Sequence, residues 1–370
     1  MSATWYRLAD AAAIASPALI VYPDRVAENL RRTIALAGGV ARLRPHVKTH
    51  KTRELVRQQL AAGIDKFKCA TLFEGAMTAE CGARDVLIAY QPLGPNVELL
   101  ARLARAFPDT RFAVVADDAG AIRALGERFA NEPRPLDVLL DLDVGMHRTG
   151  VVPDESAFAL YRALSATPGL RAAGLHVYDG HLKQRDPTER ARAVSEGFAP
   201  VEQLLERLAA AGFPAPEIVA GGSNTFAIHA RDPCRQVSPG TFVFWDASYL
   251  EKYPDFDFLP AAVLLTRVVS RPTATRVCVD LGFKAVSADN PNPRAVFLDL
   301  PDAKMVVHSE EHLAIESDAA GHFQVGDVLY ALPYHVCPTV ALYPELLVAQ
   351  GGKVVDRWAV AARDRTLPLA

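Results

Sequence analysis

From residue 18 to 245 the chain alternates between two textures. Short apolar runs read as strands: ALIVY (18–22), LRPHVKT (43–49), FKCAT (67–71), DVLIAY (85–90) and RFAVVAD (111–117). LDVLLDLDV (136–144), AAGLHVY (172–178), EIVAGG (217–222) and VSPGTFVFW (237–245) continue the series. Between these runs apolar residues recur at helical spacing, as in Val26, Leu30, Ile34 and Ala37. The same spacing predicts helices over 96–107, with Val97, Leu100, Ala104 and Phe107, and over 188–211, with Val201, Leu204, Leu205 and Leu208. Another is expected from the cap-like Thr52 to near Gly63. Strands apolar on both faces and separated by helices imply a parallel sheet covered by helices. The repeat fits a TIM-type (β/α)8 barrel. The series holds one strand more than such a barrel needs, and run 18–22 is the candidate to lie outside it.

After residue 245 the texture changes. AAVLLTRVVS (261–270), TRVCVDLG (275–282), RAVFLDL (294–300), KMVVHSE (304–310), DVLYALP (327–333) and VVDRWAVAAR (354–363) are strand-like, with few helices between them. The expected organisation is a barrel over 18–245 and a mainly β domain over 246–370, to which residues 1–17 could be added. The 370 residues are half hydrophobic and 22% charged, with a net charge of -3. That balance argues against general affinity for nucleic acid or anionic membrane. No apolar run is long enough to span a bilayer. The N-terminal stretch lacks the basic start of a signal peptide and reads as mature protein. Five cysteines, odd in number and without C-x-x-C, fit a reducing cytoplasm.

The segment RLRPHVKTHK (42–51) crowds Arg44, His46, Lys48 and His50 onto one face of an alternating strand. Active sites of such barrels sit at the C-terminal strand ends, where Lys48 falls. Like charge from Arg44 and His46 would favour a neutral amine there, as Schiff-base chemistry requires. GGSNTF (221–226) and SPGTF (238–242) offer two small-residue turns, of the kind that cradle phosphate, after the last barrel strands. Together with the lysine they imply pyridoxal phosphate. LDVGMHRTG (142–150) and LHVYDGH (175–181) bring Arg148, His176, Tyr178 and His181 to two further strand ends.

With SEEH (309–312) and HVCPTVALY (335–343) added, these motifs resemble the D-serine dehydratase and D-threonine aldolase family, fold-type III pyridoxal-phosphate enzymes related to alanine racemase. The resemblance spans residues 17 to 360. It implies a barrel, a C-terminal β-domain and a homodimer. It implies Lys48 as the Schiff-base lysine, and Arg148 and Tyr178 as ring contacts, to which His176 is added as a cofactor contact. It also implies Ser223, Asn224, Thr225, Gly240 and Thr241 as the phosphate site, and His335 and Cys337 as metal ligands. Lys48 and His181 are the candidate catalytic groups. Two departures stand out: Ala341-Leu342 where Asn-Leu is expected, and Gln236 where glutamate is usual.

His335 and Cys337 are two residues apart, so in an extended segment they would face one way and could share an ion. Imidazole plus thiolate favours zinc, with manganese or magnesium as alternatives. The expected reaction is elimination from a D-β-hydroxy amino acid, D-serine or D-threo-3-hydroxyaspartate, giving a 2-oxo acid and ammonia. Retro-aldol cleavage to glycine and an aldehyde is the alternative. A racemase would need a second base, for which Tyr249, Tyr253, Tyr330 and Tyr334 are candidates. A non-catalytic cofactor carrier would not need the metal-bearing domain.

Overall fold

The computed structural model describes residues 4–367. It divides into two compact units. Thr33–Lys48, Arg53–Gly240 and 364–367 form one; 4–32, Thr49–Thr52 and Thr241–Arg363 form the other. The strands are β1 (Ala18–Val21), β2 (Lys66–Cys69), β3 (Asp85–Ile88), β4 (Arg111–Ala116), β5 (Leu136–Leu142), β6 (Leu170–Val177), β7 (Glu217–Ala220) and β8 (Arg235–Val237). They continue as β9 (Ala262–Ser270), β10 (Arg276–Val279), β11 (Ala295–Phe297), β12 (Lys304–His308), β13 (Leu313–Glu316), β14 (Val328–Pro333), β15 (Glu345–Gln350) and β16 (Lys353–Ala359).

In the first unit β2 to β8 form one parallel sheet in chain order. Residues 43–46 close it into the barrel: Leu43 bridges Val237 of β8, and His46 bridges Lys68 of β2. The Arg44 N–H donates to Val237 O and the Lys68 N–H to Pro45 O, each at 2.9 Å. Pro45 has no N–H to give, but the His46 N–H beyond it donates to Pro239 O at 2.9 Å. The chain then turns into a 3-10 helix at Val47–Thr49. The predicted strand 43–49 is therefore a short two-sided bridge followed by a turn, and its strict alternation is lost.

Alternation does hold within β3 to β7. Leu87, Ala113, Val115, Leu139 and Val219 cluster inside the barrel. The residues next to them in sequence face the helices. Leu140, Leu142, Leu175 and Val177 meet Phe198, Val201, Leu204 and Leu208 of the helix Pro187–Ala210. Each such side chain contributes about 1.5–3 kcal/mol on burial. The helix starts where Asp186 accepts hydrogen bonds from the Thr188 and Glu189 N–H groups. The N-terminal end of the barrel is plugged by ions. Arg44, 1% exposed, donates to Asp85 at 2.6 Å, to Glu217 at 2.7 Å and to Gln236 at 2.8 Å. Arg111 joins Asp85, Glu217 and Asp137 in the same floor. Gln236, at the position where glutamate was expected, thus accepts from the buried arginine.

The second unit is a mainly β sheet in the order β12-β13-β10-β9-β1-β15-β16, with β14 on β9 and β11 on β14. β1 falls in the sequence-based barrel range 18–245 but was also the run singled out to lie outside the barrel; it pairs antiparallel with β9 and parallel with β15, in this second sheet. Its four residues are all buried, and three of them, Leu19, Ile20 and Val21, are fully so, because the sheet continues on both sides. The run 237–245 is also not one strand: β8 ends at Val237 and a 3-10 turn follows at Thr241–Val243. Strands β13 and β15 were not foreseen. β13 has only two fully buried apolar residues, Leu313 and Ile315, too short a period to stand out. Among the described residues no helix is long and apolar enough to cross a membrane. Among the described residues the five cysteines form no disulfide.

Candidate active site

A cavity of about 450 Å³ opens where the barrel strands end, lined among others by Lys48, Lys68, Asp141, Arg148, His176 and Tyr178. Lys48 reaches it from the 3-10 turn and is exposed. His46 also lines it. Arg44 does not supply the expected like charge, since its guanidinium is committed to the floor carboxylates. His50 is no part of this group either. It is buried, and its Nδ1 accepts from the Thr52 N–H at 3.2 Å. Burial, then the charge of Lys51, pushes its pKa down to about 3. The second cation of the cavity is Lys68, 3% exposed. Burial and then Lys48 lower its pKa to about 7, against the opposing pull of Asp141 and Asp179.

Arg148 hangs from a loop that one carboxylate ties together. Asp143 accepts from the Gly145 N–H at 2.9 Å and the His147 N–H at 3.0 Å, and its other oxygen meets His147 Nδ1 at 2.9 Å. His147 adopts a positive φ of 51° to make this turn. Burial opposes the Asp143 charge, yet these hydrogen bonds hold its carboxyl below the usual range. Gly150 closes the loop at φ 102°; a Cβ there would lie 2.6 Å from the backbone of Asp143. The Arg148 guanidinium sits 5.1 Å from the Tyr178 ring centre, within cation–π reach. Asp143→Ala should free this loop and weaken cofactor retention about three- to tenfold, the equivalent of one lost hydrogen bond. Absorbance after graded dialysis measures it.

His176 is buried in the cavity wall. Its Nδ1 pairs with Asp141 at 2.6 Å, which orients the ring. Its Nε2 is buried without a hydrogen-bond partner. Burial, then Lys68, lowers its pKa, so this nitrogen is poised to meet a ligand as a neutral imidazole. Tyr178 touches the GGSNT turn: a Cβ on Gly222 would lie 3.0 Å from its ring. In that turn Thr225 Oγ1 donates to Asp179 at 2.6 Å, and Asn224 Nδ2 donates to Leu182 O at 2.7 Å. These two side chains brace the loop. Ser223 Oγ accepts from the Gly240 N–H at 3.0 Å, so the two predicted turns meet. Thr241, the next residue, opens the 3-10 turn and is assigned to the other unit. His181 is not in the cavity wall. It lies behind Gly145, whose Cβ would sit 2.8 Å from its Nε2, and its Nδ1 is buried without a partner.

His335 and Cys337 do not lie on an extended strand. His335 caps the short helix Val336–Val340, which contains Cys337. Even so the ring and the sulfur are hydrogen-bonded neighbours. Burial disfavours the imidazolium, but Cys337 and then Asp289 outweigh it and raise the pKa to about 9. Asp289 accepts from His335 Nδ1 at 2.5 Å, the outer-shell arrangement typical of a ligating imidazole. Among the described residues no cluster of three or more ligands is present.

Residues 21–248 match the family described as alanine racemase, N-terminal domain, and residues 261–349 match the putative serine dehydratase domain. The chain belongs to the alanine racemase-like, fold-type III enzymes. This alanine racemase-like chain is 29% identical to D-threonine aldolase of Arthrobacter sp over 95% of its own length and 93% of the relative's. It is 28% identical to D-threo-3-hydroxyaspartate dehydratase of Delftia sp. (strain HT23), covering 93% and 96%. Among solved structures, D-threonine aldolase from Filomicrobium marinum superposes with a TM-score of 0.88 at 30% identity, covering 95% and 96%. Relatives named as aldolases and dehydratases make the protein a pyridoxal-phosphate-dependent lyase.

The cavity of this lyase suits that cofactor. Lys48 offers an amine for the aldehyde and Arg148 a cation, and His176 Nε2, without a partner among the described residues, can meet a polar group. The thiol–imidazole pair suits a divalent ion, with the remaining positions left to water or substrate. Lys68, Asp141, Asp117 and Asp289 were missed from the sequence. A signal for three existed: Lys68 and Asp141 are charged residues near the C-terminal ends of apolar strands, and Asp117 directly follows one. Asp289 lies in an irregular loop and had none.

Proposed function

We propose that this lyase eliminates water from a D-β-hydroxy amino acid, D-serine or D-threo-3-hydroxyaspartate, with the help of a divalent metal. The observation that carries this reading is the thiol of Cys337 beside the imidazole of His335. Sulfur as a ligand favours zinc over harder ions. When bound, pyridoxal phosphate withdraws electrons from the substrate Cα, and an ion on His335 and Cys337 would add Lewis acidity toward a hydroxyl.

The chain's own residues do the rest. Lys48 holds the cofactor and exchanges the Cα proton. Arg148 and Tyr178 would contact the cofactor ring, and His176 would accept a hydrogen bond through Nε2. The backbone of the 221–225 turn, braced by Thr225 on Asp179, takes the phosphate, with Ser223 and Gly240 beside it. His181 stands outside the cavity wall and is assigned no step.

Retro-aldol cleavage is the second reading, favoured by the 30% identity and 0.88 TM-score to D-threonine aldolase. Of the four candidate second bases for a racemase, Tyr330 and Tyr334 are engaged: the Tyr330 hydroxyl accepts from the Leu8 N–H and the Tyr334 hydroxyl donates to Glu251, each at 3.1 Å. Incubation with D-serine, D-threonine, D-threo-3-hydroxyaspartate and D-alanine, with product separation, decides among the three. Elimination gives 2-oxo acids, cleavage gives glycine and racemisation gives L-alanine. Glycine as the main product would overturn the dehydratase reading. Chelation should abolish elimination while the cofactor's absorption stays, and zinc should restore the rate better than magnesium. Full activity in the chelated protein would exclude the metal role.

A further inference from the structure

Lys68 is a buried amine aimed into the cavity without a direct counter-ion. It is 3% exposed, lines the cavity, and among the described residues its Nζ makes no hydrogen bond or ion pair. The Tyr178 ring lies 5.5 Å from that nitrogen. The carboxylates around it are committed elsewhere. Asp141 holds His176 Nδ1. Asp179 accepts from Thr225 and from His229, at 2.6 and 2.8 Å. Asp117 accepts from the Gly150 N–H at 2.7 Å. The remaining charged or titratable neighbours, His46, Lys48 and Arg148, cannot offset a cation.

Burying an ammonium without a partner is costly, so a sequence that keeps one there fits a site that awaits an anion. If Lys48 carries the cofactor and the 221–225 turn takes the phosphate, neither of those groups is left for Lys68. We infer that Lys68 is the carboxylate anchor of the amino-acid substrate, pairing with its α-carboxylate in the cavity. This rests on the lyase reading above.

With the cavity free of substrate, the amine is largely neutral above pH 7, which relieves its repulsion with Lys48. An arriving carboxylate favours the charged form, so binding takes up a proton. Lys68→Met keeps the shape of the side chain and removes the charge; Lys68→Arg keeps the charge but cannot exchange the proton.

The test uses the cofactor-loaded enzyme and two ligands without a β-hydroxyl: D-alanine, and D-alaninamide, which lacks the carboxylate. Spectral titration at pH 8 gives their affinities, and calorimetry in two buffers of different ionisation enthalpy gives proton uptake. Wild type should prefer the acid over the amide by at least about tenfold, as a charge-assisted hydrogen bond allows, with proton uptake specific to the acid. Lys68→Met should load cofactor normally but lose both the preference and the uptake. Lys68→Arg should regain the preference without the uptake. If Lys68→Met keeps the wild-type acid-to-amide ratio, the anchor role is overturned. That holds also if the variant alters only the absorbance-versus-pH curve of the ligand-free enzyme, which would assign the amine to the cofactor. If loaded wild type binds neither ligand, the amino-acid reading falls and the anchor role falls with it.

Discussion

Lys48→Ala should abolish covalent retention of the cofactor and lower lyase turnover by about 10⁴-fold or more, the upper range for loss of a positioned acid–base group. The expectation follows from where the chain puts this amine. Residues 43–46 bridge the barrel closed, the 3-10 turn Val47–Thr49 follows, and Lys48 emerges at the cavity rather than in the barrel wall. Borohydride treatment of the loaded wild type should fix the cofactor to the peptide containing Lys48. Fixation on the peptide of Lys68 instead would exchange the roles of the two amines. The variant should still fold, since Lys48 is exposed and no packing depends on it.

Arg44→Met should cost about 3–5 kcal/mol of stability, because it leaves the floor carboxylates short of a buried partner. Arg44 is 1% exposed and pairs with Asp85 and Glu217, whose side chains are 15% and 17% exposed. Burial opposes the Asp85 charge, but the hydrogen bonds and charge of Arg44, then Arg111, hold its carboxyl below the usual range. A depressed carboxyl pKa contributes stability that is complete above the ordinary value and lost as pH falls through the lowered one. In the variant Asp85 should titrate higher. The penalty should therefore be largest near neutral pH and shrink as acid protonates the floor. Denaturant midpoints of both proteins from pH 7 to pH 4 measure this. A penalty that stays constant with pH would mean lost packing, not charge, is responsible.

The alternation of apolar runs and helical periods was enough to read a parallel barrel followed by a β domain, because burial on both faces forces that pattern into β3 to β7. The small-residue turns and the strand-end lysine were equally visible, since they are local in sequence. Membership of strands in sheets was not. The strand count marked β1 as surplus to the barrel, but its buried apolar texture is that of a barrel strand, and its pairing with β9 and β15 shows which sheet takes it.

The site divides the same way. Lys48, Arg148, His176 and Tyr178 share a cavity because each ends or follows a strand of one barrel. Period-two alternation wrongly grouped Arg44 and His50 with Lys48, because the chain leaves the extended form at the 3-10 turn Val47–Thr49. The chain by itself determined which residue types could do amine, phosphate and thiol chemistry, for that is written in side-chain identity. Only the tertiary structure decided which charges remain unneutralised. Arg44 meets carboxylates distant in sequence and is silenced, whereas Lys68, unremarkable in FKCAT, makes no ion pair among the described residues.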